Sequence, residues 1–260
     1  MSFEILLLSI VQGIGEILPI SSSVNLHLFS KLFHIQDFSF SLKIALHVGS
    51  LITLLIYSKK DVINIFKGLF SKKRTLFETY FFPLLLGTIP VTILGYFSRD
   101  FVKEFDSPKI MGTSSVLFGL TLFVFDKLSC AKNRVEKDNI QIWKACFIGC
   151  FQSLALFPGV SRLGICITAS RMLNLDRRKA IRFSLLLAIP SILGSLSLET
   201  FECCKTNDFS LFSGNTAVSV MIVAITGLIT IWPAIRFMEK KGFLAITIYR
   251  IVVGSILCFL

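Results

Sequence analysis

Charged residues are scarce in this chain of 260 residues: 17% are Asp, Glu, Lys or Arg, whereas 53% are hydrophobic. That shortage excludes an intrinsically disordered protein, which needs high polarity. The seven cysteines lack the dense pairing of a disulfide-stapled secreted domain and the spacing of zinc ligands, and glycine follows no collagen-like period. With 26 Phe and a mean hydropathy of +0.75, the chain is too apolar for a water-soluble domain. The sequence predicts an all-α integral membrane protein.

A secretory signal is also missing, because Met1 is followed by Glu4 instead of a basic region and no small-residue cleavage site follows. We therefore expect the first apolar segment to remain in the protein.

The basic residues are unevenly distributed among the polar loops. The net charge of +11 is compatible with nucleic acid binding or with the cationic cytoplasmic loops of a membrane protein. Four loops hold 18 Lys and Arg residues, and the three remaining connections hold 6. The four basic loops are 58–79, 127–141, 171–182 and 236–241. This asymmetry predicts that these loops are cytoplasmic, and we expect no nucleic acid partner.

Six apolar stretches are long enough to suggest membrane spans. They are residues 44–57, 80–98, 111–126, 182–199, 216–235 and 243–260. Two further apolar stretches, 3–30 and 142–174, are interrupted near the middle by Pro- and Ser-containing segments at 19–23 and 158–162. Each of these indicates a broken helix pair rather than a single span.

The predicted orientation is self-consistent only if both broken segments are re-entrant hairpins, one entering from each side. The chain then forms one membrane domain, 1–260, with an inverted-topology repeat. Each half, 1–126 and 142–260, has one re-entrant helical hairpin plus three transmembrane helices. Function in such folds concentrates where the breaks meet near the midplane.

One charged residue lies at or near the interruption of each apolar segment, Glu16 in the first and Arg162 in the second. Each unpaired charge costs on the order of 2.5–3.5 kcal/mol on insertion scales. We therefore expect the two side chains to meet, directly or through a ligand. A buried structural ion pair is the alternative to a functional site. Gln12 lies one helical turn before Glu16 and shares its face.

Hydroxyl groups accompany both charges, with Ser21, Ser22 and Ser23 at the first break and Ser161 at the second. Any one of these serines suits a simple helix cap. Together with helix N-termini, a guanidinium and a carboxylate, they suit a phosphate ester. In this interpretation Glu16 recruits a divalent cation, Mg²⁺ or Ca²⁺.

The segments 12–23 (QGIGEILPISSS) and 158–164 (PGVSRLG) resemble the two signatures of the undecaprenyl-diphosphatase family, also known as bacitracin-resistance proteins. Shorter similar segments follow in the same order along the chain, namely HVGS at 47–50, GTIP at 87–90, RFS at 182–184, AIP at 188–190 and YRI at 249–251.

The resemblance implies a bacterial inner-membrane hydrolase that removes the terminal phosphate from undecaprenyl diphosphate. The product is the lipid carrier for peptidoglycan, and the activity confers bacitracin resistance. The resemblance also implies two re-entrant hairpins among six spans, with the active site facing the extracytoplasmic side. The partners expected are a polyprenyl diphosphate lipid and the bilayer. Whether the protein forms a homo-oligomer is left open.

The same resemblance assigns roles to individual residues. Glu16, Ser22 and Arg162 are expected to be catalytic, and Glu16 is also the expected metal ligand. The expected substrate-binding residues are Gln12, Ser21, Asn25 and Ser161. The role of Arg250, next to Tyr249 in the last span, stays open.

One departure from the family pattern involves residues 24 and 25, where the usual Gly and His are Val24 and Asn25. Asn cannot take up a proton near neutral pH. The role of that His is then vacant, assumed by Glu16, or moved to His27. We expect His27 to be a packing or interfacial residue and His47 to be a satisfied polar residue inside a span. Two alternatives stay open. Inverted repeats with midplane breaks also suit a flippase for a phosphorylated lipid, and Asn25 suits a relative that binds the diphosphate without cleaving it.

Overall fold

The computed structural model describes residues 3–35, 39–70, 75–98, 102, 104–129, 140–205 and 214–260. All regular secondary structure within these ranges is helical. In chain order the helices are α1 (Phe3–Gly15), α2 (Ser22–Leu32), α3 (Phe40–Tyr57), α4 (Lys59–Phe70), α5 (Thr75–Phe97), α6 (Pro108–Leu128), α7 (Ile142–Gln152), α8 (Arg162–Met172), α9 (Arg177–Lys205), α10 (Gly214–Lys241) and α11 (Leu244–Phe259). The prediction of an all-helical protein is confirmed.

Within the described ranges, four helices are long and apolar enough to cross a membrane: α3, α6, α9 and α10. They carry four of the six predicted spans. The other two predicted spans lie on shorter apolar helices, the segment Phe81–Phe97 of α5 and the 16-residue α11. Large apolar side chains such as Phe97, Ile229 and Trp232 are exposed on the outside of the bundle. The chain is a multi-pass membrane protein.

Side-chain caps fix where several helices begin. Ser39 precedes α3 and its hydroxyl accepts a hydrogen bond from the Leu42 N–H at 3.2 Å. Ser107 does the same for the Ile110 N–H at 3.3 Å, and Pro108 follows it at the first position of α6. These caps satisfy N–H groups that have no partner within the helix.

Close packing between helices depends on small residues. On α7, Gly149 lies directly against α5, so that a Cβ atom there would come within 2.2 Å of the Gly87 carbonyl oxygen. On α6, a Cβ atom at Gly112 would lie 2.4 Å from the Gly254 carbonyl oxygen of α11. Small residues of this kind let helix backbones approach closely in a membrane protein, where lipid supplies no hydrophobic drive for helix association.

A buried ion network joins the ends of several helices at one end of the bundle. The side chain of Asp126, near the end of α6, is 1% exposed and pairs with Arg171 at 3.0 Å and with Arg177 at 2.7 Å. Arg171 lies at the end of α8 and Arg177 at the start of α9. Arg177 also donates to the Glu239 carbonyl of α10 at 3.5 Å. The network therefore ties four helices together beside the loops predicted to be cytoplasmic.

Replacement of Gly149 tests whether the α5–α7 contact limits stability. We expect Gly149→Ala to lower the free energy of unfolding by about 1–3 kcal/mol, because the new methyl group meets backbone rather than a movable side chain. The measurement is thermal unfolding of the purified protein in detergent. Gly194→Ala on α9 is the control, since nothing lies within 4 Å of a Cβ atom there. The control should be neutral or stabilising, and equal melting temperatures for the two variants would contradict the prediction.

Candidate active site

Both predicted interruptions are breaks in helical structure. The first lies between α1, which ends at Gly15, and α2, which begins at Ser22. The second follows α7 with a short 3₁₀ turn, Ser153–Leu156, and continues in non-helical backbone up to α8. The backbone at Ser21 has φ 65°, a left-handed conformation that non-glycine residues rarely adopt. Such strain, held by surrounding structure, is typical of functional sites.

The guanidinium of Arg250, on α11, connects the two breaks. Its Nη1 donates to the Pro19 carbonyl at 3.3 Å and its Nη2 to the Gly159 carbonyl at 3.2 Å. Its Nε donates to the Ser115 carbonyl of α6 at 3.0 Å. Arg250 is 1% exposed, and the three residues that supply these carbonyls are also buried. Water is therefore not available to replace the guanidinium as their hydrogen-bond donor. The sequence left the role of Arg250 open. In the structure its hydrogen bonds connect the first break, the second break and α6.

Glu16 and Arg162 meet, as the membrane cost of isolated charges predicted. The Arg162 Nη2 atom donates to Glu16 Oε1 at 2.9 Å. The side chains are 9% exposed for Glu16 and 19% exposed for Arg162. The two residues are 146 positions apart in the sequence, and each stands at the end of a helix, Glu16 after α1 and Arg162 at the start of α8.

The second carboxylate oxygen of Glu16 is also engaged. Glu16 Oε2 accepts a hydrogen bond from Ser22 Oγ at 2.9 Å and another from Gln12 Nε2 at 3.2 Å. Gln12 Nε2 also lies 3.3 Å from Ser50 Oγ on α3. Since Gln12 is buried behind the carboxylate, it orients Glu16 from the protein side.

A cavity of about 180 Å³ opens beside this ion pair. Its apolar wall includes Ala155, Val160 and Leu163. Its polar wall consists of Glu16, Ser21, Ser22, Ser23, His47, Ser161 and Arg162. The cavity therefore combines hydroxyl groups, one carboxylate, one guanidinium and one imidazole.

Two helix N-termini also face the cavity. Residues 21–23 at the start of α2 and residues 161–163 at the start of α8 line it. The first N–H groups of a helix lack intrahelical partners and carry the positive end of its dipole. At α8, Ser161 Oγ accepts from the Gly164 N–H at 3.1 Å. Two N-termini together with a guanidinium form a setting that favours an anion with several oxygens.

Asn25 occupies a different position from the other predicted site residues. Its Nδ2 donates to the Ser21 carbonyl at 2.9 Å and lies 3.3 Å from the Ile20 carbonyl. Its Oδ1 accepts a hydrogen bond from the Tyr249 hydroxyl. Asn25 is buried and is not among the residues that line the cavity. In this arrangement it holds the first break together.

His47, expected to be a satisfied polar residue, has a polar partner and also lies on the cavity wall. Its Nδ1 is 2.9 Å from Glu199 Oε2, which comes from α9. A signal for this pair was present in the sequence, because Glu199 is an acidic residue within predicted span 182–199. His27, on α2, is not among the lining residues.

The fold and the site together define a class: multi-pass membrane proteins with a polar cavity enclosed by broken helices. The sequence matches the family model described as bacitracin resistance protein BacA over residues 5–256, and the chain belongs to this family.

Several relatives are similar over nearly their whole length. The undecaprenyl-diphosphatase of Caldicellulosiruptor bescii is 33% identical, and the alignment covers 98% of this chain and 96% of the relative. The undecaprenyl-diphosphatase of Alcanivorax borkumensis is 35% identical, over 99% of this chain and 98% of the relative. Undecaprenyl-diphosphatase 2 of Stutzerimonas stutzeri is 33% identical, over 99% of this chain and 97% of the relative.

The role of Arg250 in holding the breaks can be measured as stability. We expect Arg250→Met to lower the free energy of unfolding by on the order of 3 kcal/mol or more, because three buried carbonyls lose a donor. Arg250→Lys should be intermediate, since an ammonium cannot span three acceptors as a guanidinium does. Arg236→Met, at an exposed position on α10, is the control for loss of a positive charge. Thermal unfolding that is unchanged in Arg250→Met would show that the contacts do not hold the breaks.

Proposed function

We propose that this chain is an undecaprenyl-diphosphatase that hydrolyses undecaprenyl diphosphate to undecaprenyl phosphate and orthophosphate. The observation that carries the proposal is the Glu16–Arg162 pair, which lies in one cavity between the N-termini of α2 and α8. The printed names of the relatives agree with it. The reaction recycles the lipid carrier for peptidoglycan synthesis, and an enzyme of this kind confers resistance to bacitracin.

The cavity and the helices around it suit the two parts of such a substrate. Exposed apolar faces of the helices suit an isoprenoid tail in the lipid, and the cavity suits the diphosphate. Arg162 is the cationic side chain for the diphosphate oxygens. The N–H groups at the two helix starts supply further donors, and Ser21 and Ser161 add hydroxyl groups.

Hydrolysis requires a nucleophile and stabilisation of the charge that spreads over the phosphoryl oxygens. Ser22 either attacks the terminal phosphorus or orients the water that does. The hydrogen bond from Ser22 Oγ to Glu16 fixes the direction of the hydroxyl lone pairs. On substrate binding, Arg162 turns from Glu16 to the phosphoryl oxygens and neutralises their charge in the transition state. Gln12 keeps Glu16 in place from behind, and Asn25 acts indirectly by holding the first break.

A divalent cation, Mg²⁺ or Ca²⁺, fits the cavity only together with the substrate. Among the described residues, no group of three or more His, Cys, Asp or Glu side chains could hold a metal ion. Glu16 offers one carboxylate, and the serine hydroxyls add neutral oxygens. Magnesium is commonly held by one or two carboxylates plus substrate phosphates, so Glu16 and the diphosphate would share it. Such a cation neutralises charge on the diphosphate oxygens.

The positions of the hairpin ends support an inverted repeat of halves 1–126 and 142–260. Phe3 and Phe33, at the two ends of the first hairpin, have ring centroids 6.0 Å apart. Ile140 and Leu175, which flank the second hairpin, belong to one buried cluster. The contact between Phe3 and Phe33 supports a first hairpin that returns to the end from which it started, and we infer the same path for the second.

The long helices that follow the hairpins run in opposite directions. Ser41 Oγ, at the start of α3, lies 3.9 Å from Cys203 Sγ, near the end of α9. The first hairpin precedes α3 and the second precedes α9, so the hairpins enter the bundle from opposite ends. With the basic loops in the cytoplasm, the first hairpin enters from outside. We place the opening of the site on the extracytoplasmic side of the inner membrane.

The two halves also repeat one buried contact. Gln12 Nε2 lies 3.3 Å from Ser50 Oγ, and Gln152 Nε2 lies 2.9 Å from Ser191 Oγ. In both cases a glutamine near the break meets a serine on the following long helix. Each serine hydroxyl in turn donates to the carbonyl four residues earlier. This correspondence supports two related halves of opposite orientation.

Removal of either member of the ion pair tests the proposed function. We expect Glu16→Ala and Arg162→Ala to reduce orthophosphate release from undecaprenyl diphosphate in detergent by on the order of 10²-fold or more. Glu4→Ala, at an exposed position on α1, and Arg178→Ala, at an exposed position on α9, are the matched controls. They should release phosphate at the wild-type rate. Full turnover in either site variant would exclude the assignment, and lipid translocation without phosphate release by the wild-type protein would favour a flippase.

The cation is tested separately with the wild-type protein. We expect a chelator to stop orthophosphate release, and Mg²⁺ or Ca²⁺ added in excess to restore it, because the cavity by itself leaves much of the diphosphate charge uncompensated. The control is to read the same titration with a phosphate assay that does not itself depend on metal ions. Undiminished turnover after exhaustive chelation would remove the cation from the proposal.

A further inference from the structure

We propose that His47, held by Glu199, takes the proton from the water molecule that attacks phosphorus. The inference rests on the phosphatase function proposed above and adds a catalytic residue to its site. His47 lines the same cavity as Glu16 and Arg162 but comes from α3, a different helix from either.

The contact with Glu199 fixes which ring nitrogen of His47 is available. Nδ1 lies 2.9 Å from Glu199 Oε2, and an ionised carboxylate can only accept a hydrogen bond. Nδ1 therefore carries the hydrogen, and Nε2 of the neutral ring keeps a lone pair. A carboxylate behind an imidazole orients the ring and stabilises the imidazolium that forms when Nε2 takes a proton. The side chain of His47 is 23% exposed and lines the cavity, whereas Glu199 is not among the lining residues and lies behind the ring.

Glu16 is poorly suited to accept that proton. Its Oε1 is bound by Arg162, and its Oε2 accepts from Ser22 and Gln12. Protonation of Glu16 would remove the negative charge to which these three side chains donate hydrogen bonds. Among the described residues that line the cavity, the ionisable side chains are those of Glu16, Arg162 and His47. A guanidinium is not a proton acceptor, so His47 is the one suited to the task.

Asn25 cannot take this role either, although it stands where relatives are expected to carry a histidine. Both polar atoms of its side chain are bonded within the protein, and it does not line the cavity. An amide also has no basic lone pair near neutral pH. His47 provides an imidazole to the same cavity from another helix.

The charges around His47 come from three helices. Glu199 approaches from α9, and Glu16 and Arg162 lie at the ends of α1 and α8. The remaining helices packed on α3 are α4 and α10. The charged residues of α4 follow Tyr57, ten or more positions beyond His47 and therefore about 15 Å or more along the helix. On α10 they begin at Arg236, 13 positions beyond Val223, which contacts Gly49.

The proposed step is balanced in atoms and electrons. The water oxygen forms a bond to phosphorus while the bond from phosphorus to the leaving oxygen breaks, and the electron pair stays on that oxygen. The leaving oxygen belongs to undecaprenyl phosphate if water attacks directly. If a phosphoserine forms first, Ser22 Oγ bonds to phosphorus, undecaprenyl phosphate leaves with the electron pair and the Ser22 hydroxyl proton passes to solvent; water then displaces Ser22 Oγ. The water proton moves to His47 Nε2. It then passes to solvent in the first case and to Ser22 Oγ in the second.

Replacement of His47 by glutamine separates proton transfer from packing. The Gln amide can still donate to Glu199 but cannot take up a proton. We expect kcat for orthophosphate release in His47→Gln to fall about 10²–10⁴-fold, with KM within about threefold of wild type. The rise of kcat with pH on the acidic side, where the wild-type imidazole loses its proton, should flatten. His27→Gln, on α2 and outside the cavity wall, is the control and should keep the wild-type rate and pH profile.

A second variant keeps the test decisive if His47→Gln does not fold. Glu199→Gln preserves the shape of the pair but removes its negative charge. The acidic limb of its kcat profile should move to lower pH, because the imidazolium loses the carboxylate that stabilises it. A wild-type rate and pH profile in His47→Gln, or an unmoved limb in Glu199→Gln, overturns the inference. If Arg162→Ala is inactive while His47→Gln behaves as wild type, the proposed function stands and only this step fails; an active Arg162→Ala removes both.

Discussion

A chain that interrupts its helices inside an apolar bundle has to satisfy the freed backbone groups without water. In this protein much of that requirement falls on one side chain. Arg250 reaches Pro19 in the first break, Gly159 in the second and Ser115 on α6. The planar, forked guanidinium supplies donors in several directions at once, which no other side chain can do. The relative position of the two breaks, and with it the cavity between them, depends on this contact.

The cavity combines groups that would be costly if separated. Glu16 and Arg162 each carry a charge into the interior of the bundle, and each compensates the other in the absence of substrate. A buried pair of this kind gains little stability over an apolar pair, because desolvation offsets the attraction. Under the proposed function, the pair keeps a guanidinium ready, beside two helix N-termini, for an anion that replaces the carboxylate as its partner. The serines at the breaks serve the same purpose, since their hydroxyl groups can reorient at small cost.

Much of this arrangement could be predicted from the sequence. The shortage of charge and the long apolar stretches indicated a helical membrane protein. The family resemblance indicated which residues belong to the site. The interruptions near Pro19 and Pro158 predicted both breaks, and the cost of isolated intramembrane charges predicted that Glu16 and Arg162 meet. These inferences succeeded because they depend on the free-energy cost of placing charged and polar groups in lipid. That cost follows from residue type and can be read from the sequence.

Other features depend on side-chain geometry that spacing along the chain does not reveal. Nothing in the pattern around residue 25 indicates that the Asn25 amide is used by the backbone of its own break. The position of His47 on the cavity wall depends on the packing of α3 against α9, which brings Glu199 to it over 152 positions of sequence. The same holds for Arg250, whose acceptors are main-chain carbonyls and therefore carry no residue-type signal.

The ion network around Asp126 affects how ligands can enter and leave the cavity. It fastens α6, α8, α9 and α10 to each other at the end of the bundle away from His47 and Glu199. Separating these helices would strand a buried carboxylate and two guanidinium groups, and breaking a single buried pair already costs about 3–5 kcal/mol. A rocking motion that exposes the cavity alternately to each face would have to meet that cost in every cycle. The network therefore opposes such a motion and favours access to the cavity from one face of the membrane only.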